Sequence, residues 1–245
     1  MAFFAITTLY ADSYSNFYVN DIGYRFLNYY ITKGDSLLQA VAVSQYFGYS
    51  TSVNIPDTVI FDGITYPVKE IWGDAFTDCS NLTSITIPNS VWRIVSAFKG
   101  CSGLTSITIP SSVTSIGSAV FGGCSRLDTV IWNVKNCQGW SQYKDSPFYV
   151  ENGESSISSF IFGNEVENVP DYLCYGLNKL TSVTIPNSVQ TIGYRAFENC
   201  KYLEEVSFGT DIEEIGENAF AGDERIYSVG HQVFSSNERS RLPAS

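Results

Sequence analysis

Between Leu180 and Tyr202 the chain reads LTSVTIPNSVQTIGYRAFENCKY, and its apolar positions change period twice. Leu180, Val183 and Ile185 come first, with Val183 and Ile185 flanking the polar Thr184. That alternation predicts a short strand with one buried face. Pro186 has no amide hydrogen to pair and ends the strand, and Asn187-Ser188 supplies a turn. Val189 and Ile192 predict a second short extended piece, and Gly193 permits a tight bend after it. Ala196, Phe197 and Cys200 then fall at the spacing of one turn of 3-10 or α helix.

Copies of this unit begin at Leu82, Leu104, Leu127, Ile157, Leu180, Leu203 and Ile226. The spacing is 22 or 23 residues except between Leu127 and Ile157, where it is 30. A fixed period in the twenties predicts a solenoid. One unit cannot bury its own apolar face. Stacked units bury it against each other, each large side chain contributing about 1.5–3 kcal/mol. Equivalent residues then form columns. The Phe column is Phe76, Phe98, Phe121, Phe197 and Phe220, with Cys174 standing in once; Cys79, Cys101, Cys124 and Cys200 form another, with Leu177 and Asp223 as substitutes. Strand-end prolines are Pro56, Pro88, Pro110 and Pro186. The outward strand positions are mostly Thr and Ser, Thr86, Thr108 and Thr184 among them.

The recurring motif L-T-S-I-T-I-P-x-S-V-x-x-I-G-x-x-A-F-x-x-C closely resembles the BspA-like (Treponema-type) leucine-rich repeat family over about 50 to 230. The fold expected is a leucine-rich repeat solenoid, a right-handed β/α superhelix that is mainly β with short 3-10 or helical turns. The resemblance implies a bacterial or microbial protein outside the cytoplasm. Members are associated with adhesion and host-protein binding, not catalysis. The shared motif is core, so no site residue carries over.

At the N-terminus, 1–11 (MAFFAITTLYA) resembles the apolar segment and cleavage site of a secretory signal, without its positive start, a first β-strand being the alternative. Residues 12–60 are crowded with aromatics and carry turn signals at Asn20–Gly23 and Lys33–Asp35. They predict a β-hairpin cap over the open end of the solenoid, which occupies 50–230 in about seven coils. The tail, 231–245, fits no unit and turns Arg-rich and polar. No apolar run approaches the length of a membrane span.

Specificity is expected where copies disagree. Trp92 and Arg93 interrupt the second extended piece and should point outward; Trp beside Arg is a common interface pair. The long unit carries Trp140, Tyr143, Phe148 and Tyr149 in an insertion, and insertions in solenoids map to loops on one face. The outer Thr86, Thr108 and Thr184 complete the candidates for partner contact. Glu204, Glu205, Glu213, Glu214 and their neighbours make the last coils acidic, without the spacing of a calcium loop.

A net charge of −11 argues against nucleic acid and anionic lipid as partners. Six cysteines in an exported chain would suggest disulfides. Here four share one inward column where Cys acts as a small hydrophobe, which favours free thiols; Cys137 lies outside it. No zinc spacing occurs. The only histidine is His231, in the aberrant tail, and no nucleophile elbow, P-loop or zincin motif is present. The reading is a monomeric, non-catalytic, secreted or cell-surface protein without cofactor or metal, binding extracellular matrix, host-surface protein or glycan. A structural spacer, and more remotely a hydrolase using paired carboxylates, are the alternatives.

Overall fold

The computed structural model describes residues 16–33, 36–151, 155–223, 225 and 228–229, with backbone alone at 28–33, 36–38 and 228–229. The signal-like segment, His231 and the 231–245 tail lie outside the described residues. In chain order the strands are β1 (Asn16–Val19), β2 (Ile22–Lys33), β3 (Ser36–Tyr46), β4 (Ser52–Asn54), β5 (Thr58–Phe61) and β6 (Ile64–Ile71). Then follow β7 (Ser84–Thr86), β8 (Arg93–Ile94), β9 (Ser106–Ile109), β10 (Ser115–Ile116), β11 (Thr129–Trp132) and β12 (Ser159–Phe162). The last six are β13 (Asn168–Val169), β14 (Ser182–Thr184), β15 (Thr191–Ile192), β16 (Glu205–Ser207), β17 (Glu214–Ile215) and β18 (Ser228–Val229).

The pairing is that of a leucine-rich repeat solenoid. First strands of successive coils pair in parallel as β4-β7, β9-β11-β12 and β14-β16-β18. Second strands pair as β6-β8-β10 and β13-β15-β17. At the N-terminal end β1, β2 and β3 are antiparallel, and β3 pairs in parallel with β6. The cap strands therefore continue the second-strand sheet and cover the edge that β6 would otherwise leave open. Phe17, Phe26, Phe61 and Tyr66 close that end as one ring cluster, with centroids 4.4 to 6.4 Å apart.

The core lies between the two strand layers and the turns. Phe76, Phe98 and Phe121 stack with centroids 5.4 Å apart, and Phe197 and Phe220 with 5.1 Å. The turns are runs of three-residue bonds, such as Cys79 N–H to Phe76 O, and not regular helix; the only 3-10 helix among the described residues is Tyr143–Asp145. Each run needs two left-handed residues. One column is Asp78, Gly100, Gly123, Gly176, Asn199 and Gly222, residue types that adopt positive φ at low cost. In the other, Tyr172 and Arg195 hold positive φ as well.

All six cysteines are free. Cys101, Cys124 and Cys200 also donate: their Sγ atoms lie 3.1–3.2 Å from the carbonyls of Phe76, Phe98 and Cys174. The column thus joins coils by hydrogen bonds as well as by packing. Cys137 is buried too, and burial pushes its thiol up to about 11.

Candidate functional site

Three parts of the fold hold the nine candidate residues, and the fold does not bring them together. Thr86, Thr108 and Thr184 are exposed on the first-strand face. Their column runs Asn54, Thr86, Thr108, Ile131, Ile161, Thr184 and Ser207, so two isoleucines stand among hydroxyls; Ile161 is 48% exposed. The adjoining column is Ser52, Ser84, Ser106, Thr129, Ser159, Ser182 and Glu205. Some hydroxyls tie neighbouring coils, as in Ser84 Oγ with Ser52 Oγ at 2.9 Å. Between β12 and β14 the ladder is interrupted: among the described residues no backbone hydrogen bond joins these strands. A groove of about 770 Å³ lies over the interruption, lined by Ser158, Ile161, Phe162, Ser182, Thr184 and Phe208 among others.

Trp92 and Arg93 lie at β8, on the second-strand side. Trp92 is 37% exposed, in line with its outward position in the repeat. Arg93 is exposed but engaged: its guanidinium is 3.7 Å from the buried Glu70 carboxylate, which also accepts the Trp72 indole N–H at 2.7 Å. Arg25 lies over the Trp72 ring at 5.4 Å. Removing Arg93 would leave Glu70 without that cation, so part of its role is structural.

The insertion corrects the expectation that its aromatics are presented together. Phe148 and Trp140 are buried. Phe148 stacks on Phe121 at 5.3 Å and fills the Phe column in the long coil. Its neighbour Pro147 accepts the Phe121 N–H, as Ala97, Ala196 and Ala219 accept the Phe-column amides of other coils. Trp140 donates its indole N–H to Ile116 O at 3.2 Å, serving the last strand carbonyl before the second-strand ladder breaks. Asn168 spans the same break: its Oδ1 accepts from Cys137 N and its Nδ2 donates to Cys137 O, at 3.3 and 3.0 Å. The long unit is therefore a variant coil in which these side chains join backbone bonds such as Glu167 N–H to Lys135 O in holding the register.

Tyr143 and Tyr149 do reach the surface, on the turn side. Tyr143 is 37% exposed and stacks on Tyr175 at 4.9 Å, while Tyr149 meets it edge-on at 5.7 Å. Tyr172 and Tyr194 extend the chain of rings at 6.0 and 5.5 Å, and Arg195 covers Tyr194 at 5.0 Å. Asn199 Nδ2 donates to the Tyr175 hydroxyl at 3.0 Å. Burial is the main cause that pushes the Tyr175 hydroxyl up. Sequence reading did not single out Tyr172, Tyr175 or Tyr194. The signal available was that copies of the turn disagree there, with Tyr where other coils carry small, polar or charged residues such as Gly73, Asp74, Ser118, Lys99 and Glu198. Among the described residues no group of three or more His, Cys, Asp or Glu is placed to hold a metal ion. No helix among them is long and apolar enough to cross a membrane.

A family model, the BspA type leucine-rich repeat region, matches residues 49–149 and 148–237 in six copies. No curated protein matches the chain. Among solved structures, a leucine-rich repeat protein from Eubacterium ventriosum is 26% identical with a TM-score of 0.59, over 81% of this chain and 50% of that one. This chain thus spans about half that protein's length. The Treponema pallidum leucine-rich repeat protein is 21% identical, TM-score 0.46, over 84% and 92% of the two chains. A leucine-rich cell surface protein from Faecalibacterium prausnitzii is 18% identical, TM-score 0.40, over 91% and 78%.

Proposed function

Because the chain belongs to the BspA type leucine-rich repeat family, we propose that it is a non-catalytic protein, secreted or held at the cell surface, that adheres to a protein partner through its first-strand face. The observation that carries the reading is the flat hydroxyl face with Ile131 and Ile161 at its centre and the groove between β12 and β14 beside them. Exposed apolar side chains ringed by polar ones are the anatomy of a protein interface. The ring here is Thr and Ser, which form hydrogen bonds without the desolvation cost of charges. The acidic flank at Glu204 and Glu205 favours a partner with basic residues at one end of its footprint.

Catalysis has little to draw on. Glu205, Glu213 and Glu214 are exposed, and Glu204 is half-buried and paired with Arg225 at 3.6 Å. Paired carboxylates on an open surface do not acquire the separated acid and base strengths that hydrolysis needs.

The test is surface plasmon resonance of the whole chain against a panel of extracellular matrix proteins. Binding should weaken at least about tenfold in Ile161→Lys and Thr184→Arg, since a charge buried in an interface is costly. Both positions are exposed, so the thermal melt should not move. Wild type that binds none of the panel, or binding indifferent to both substitutions, refutes the strand face and leaves the spacer reading in its place.

A further inference from the structure

We propose that the tyrosine-lined hollow on the turn side is a carbohydrate-binding pocket, separate from the strand face and not dependent on what that face binds. Its volume is about 350 Å³, at the small end of ligand pockets and suited to one or two sugar rings. Three successive coils converge on it. The long coil brings Tyr143 and Tyr149, the next brings Tyr175 and Asn178, and the third brings Asn199 and Lys201.

The chemistry of the lining selects the ligand. Asn178 and Asn199 line the hollow, and side-chain amides both donate and accept. The Lys201 ammonium asks for an acceptor. The Tyr175 hydroxyl, held in place by Asn199, keeps a proton to donate. Tyr143, clamped against Tyr175, and Tyr149, set edge-on to it, offer ring carbon to an apolar face. A ligand with a C–H face, hydroxyl donors and hydroxyl acceptors meets all four demands, and that is a pyranose. A cation does not fit. Lys144 lies over Tyr143 at 5.9 Å, Lys201 adds a second positive charge, and no carboxylate among the described residues lines the hollow. A purely apolar ligand would strip water from the Lys201 ammonium and the Tyr175 hydroxyl without replacing it.

The pocket also accounts for the shape of the long coil. Phe148 and Trp140 keep its core in register, and Tyr143 and Tyr149 face outward between and beside them, where the regular coils place small or polar residues.

The experiment is saturation-transfer-difference NMR on the whole chain with glucose, galactose, mannose, N-acetylglucosamine, N-acetylgalactosamine and N-acetylneuraminic acid. At least one sugar should receive transfer, strongest at the protons of one ring face. Tyr143→Ala and Lys201→Ala should each weaken its binding about tenfold, with a circular dichroism spectrum like that of wild type showing that each variant is folded. Tyr143→Phe keeps the ring and should keep the signal. Ile161→Lys, which tests the strand face, should leave it unchanged, so the two proposals fail separately. No transfer from any of the six sugars, or transfer that survives both alanine substitutions, overturns the pocket.

Discussion

A cysteine is chosen at the Cys column for a reason that size alone does not give. Its Sγ donates to the carbonyl of the preceding coil at three places. Asp223 occupies the same column in the last described turn; it is buried, and neither carboxylate oxygen has a hydrogen-bond partner among the described residues. In the repeat, the carbonyl equivalent to those the thiols use is that of Phe197. A protonated carboxyl can donate as a thiol does, and an ionised one can only repel. Burial, with Glu198 adding and the Cys200 backbone partly opposing, pushes the Asp223 carboxyl from its ordinary 3.8 up to about 8. The unfolded chain gives up this proton near 3.8 and the folded chain holds it to about 8. Across that window the unfolded state binds fewer protons, so the group's contribution to stability falls as pH rises and levels off above about 8. Asp223→Leu, the residue type found at Leu177, should therefore melt higher than wild type at pH 8. The gain should shrink as pH is lowered toward 4. Thermal melts of both proteins across that range check it, and a gain independent of pH would contradict it.

Among the elements, the regular coils were legible because one physical demand sets each letter: inward Leu, Val and Ile, a Pro that ends pairing, a Phe to stack. Ile85, Ile107, Val130 and Val183 are buried as the alternation requires. The long coil was only half legible. Val130 and Trp132 keep the buried strand positions that the alternation of the regular coils requires. Phe148 was read as a partner contact because the seven extra residues shift it out of step, and a column position is set by register in space, not by count along the chain. Pro147-Phe148 in place of Ala-Phe was the available clue. Trp140 escaped for a different reason, since its partner is a carbonyl that is orphaned only once a ladder breaks three coils along. Trp140→Phe should keep the buried ring and lose the bond to Ile116 O. The expected cost is about 1–2 kcal/mol in urea unfolding, with partner binding unchanged because the ring is buried. A loss of binding without a loss of stability would return Trp140 to the surface.

Across the whole molecule, stability is a sum of coil terms and nearest-neighbour terms, so one weak junction can divide the solenoid. The first-strand sheet is open between β7 and β9 and again between β12 and β14, and the second-strand sheet between β10 and β13. Backbone pairing still crosses each opening on the other sheet, β8-β10 beside the first, β13-β15 beside the second and β9-β11-β12 beside the third. Side chains reinforce the junction at the last two openings. Phe162 meets Phe197 at 6.3 Å, Tyr143 stacks on Tyr175, and Ser146 Oγ donates to Leu173 O at 3.3 Å. Phe148 anchors the segment that supplies the last two, and it touches Phe121, Trp132 and Phe160 as well. Phe148→Ala should cost about 3–5 kcal/mol and, more diagnostically, uncouple the halves. The chain carries its own reporter, because its four tryptophans, Trp72, Trp92, Trp132 and Trp140, all precede the junction. Fluorescence therefore follows the N-terminal half, and far-ultraviolet circular dichroism follows both. In wild type the two urea transitions should coincide, as they do for a cooperative unit. In Phe148→Ala they should separate, the dichroism showing a second step that fluorescence lacks. Coincident transitions in the variant would mean that coupling across the open sheets runs through other contacts than the Phe column.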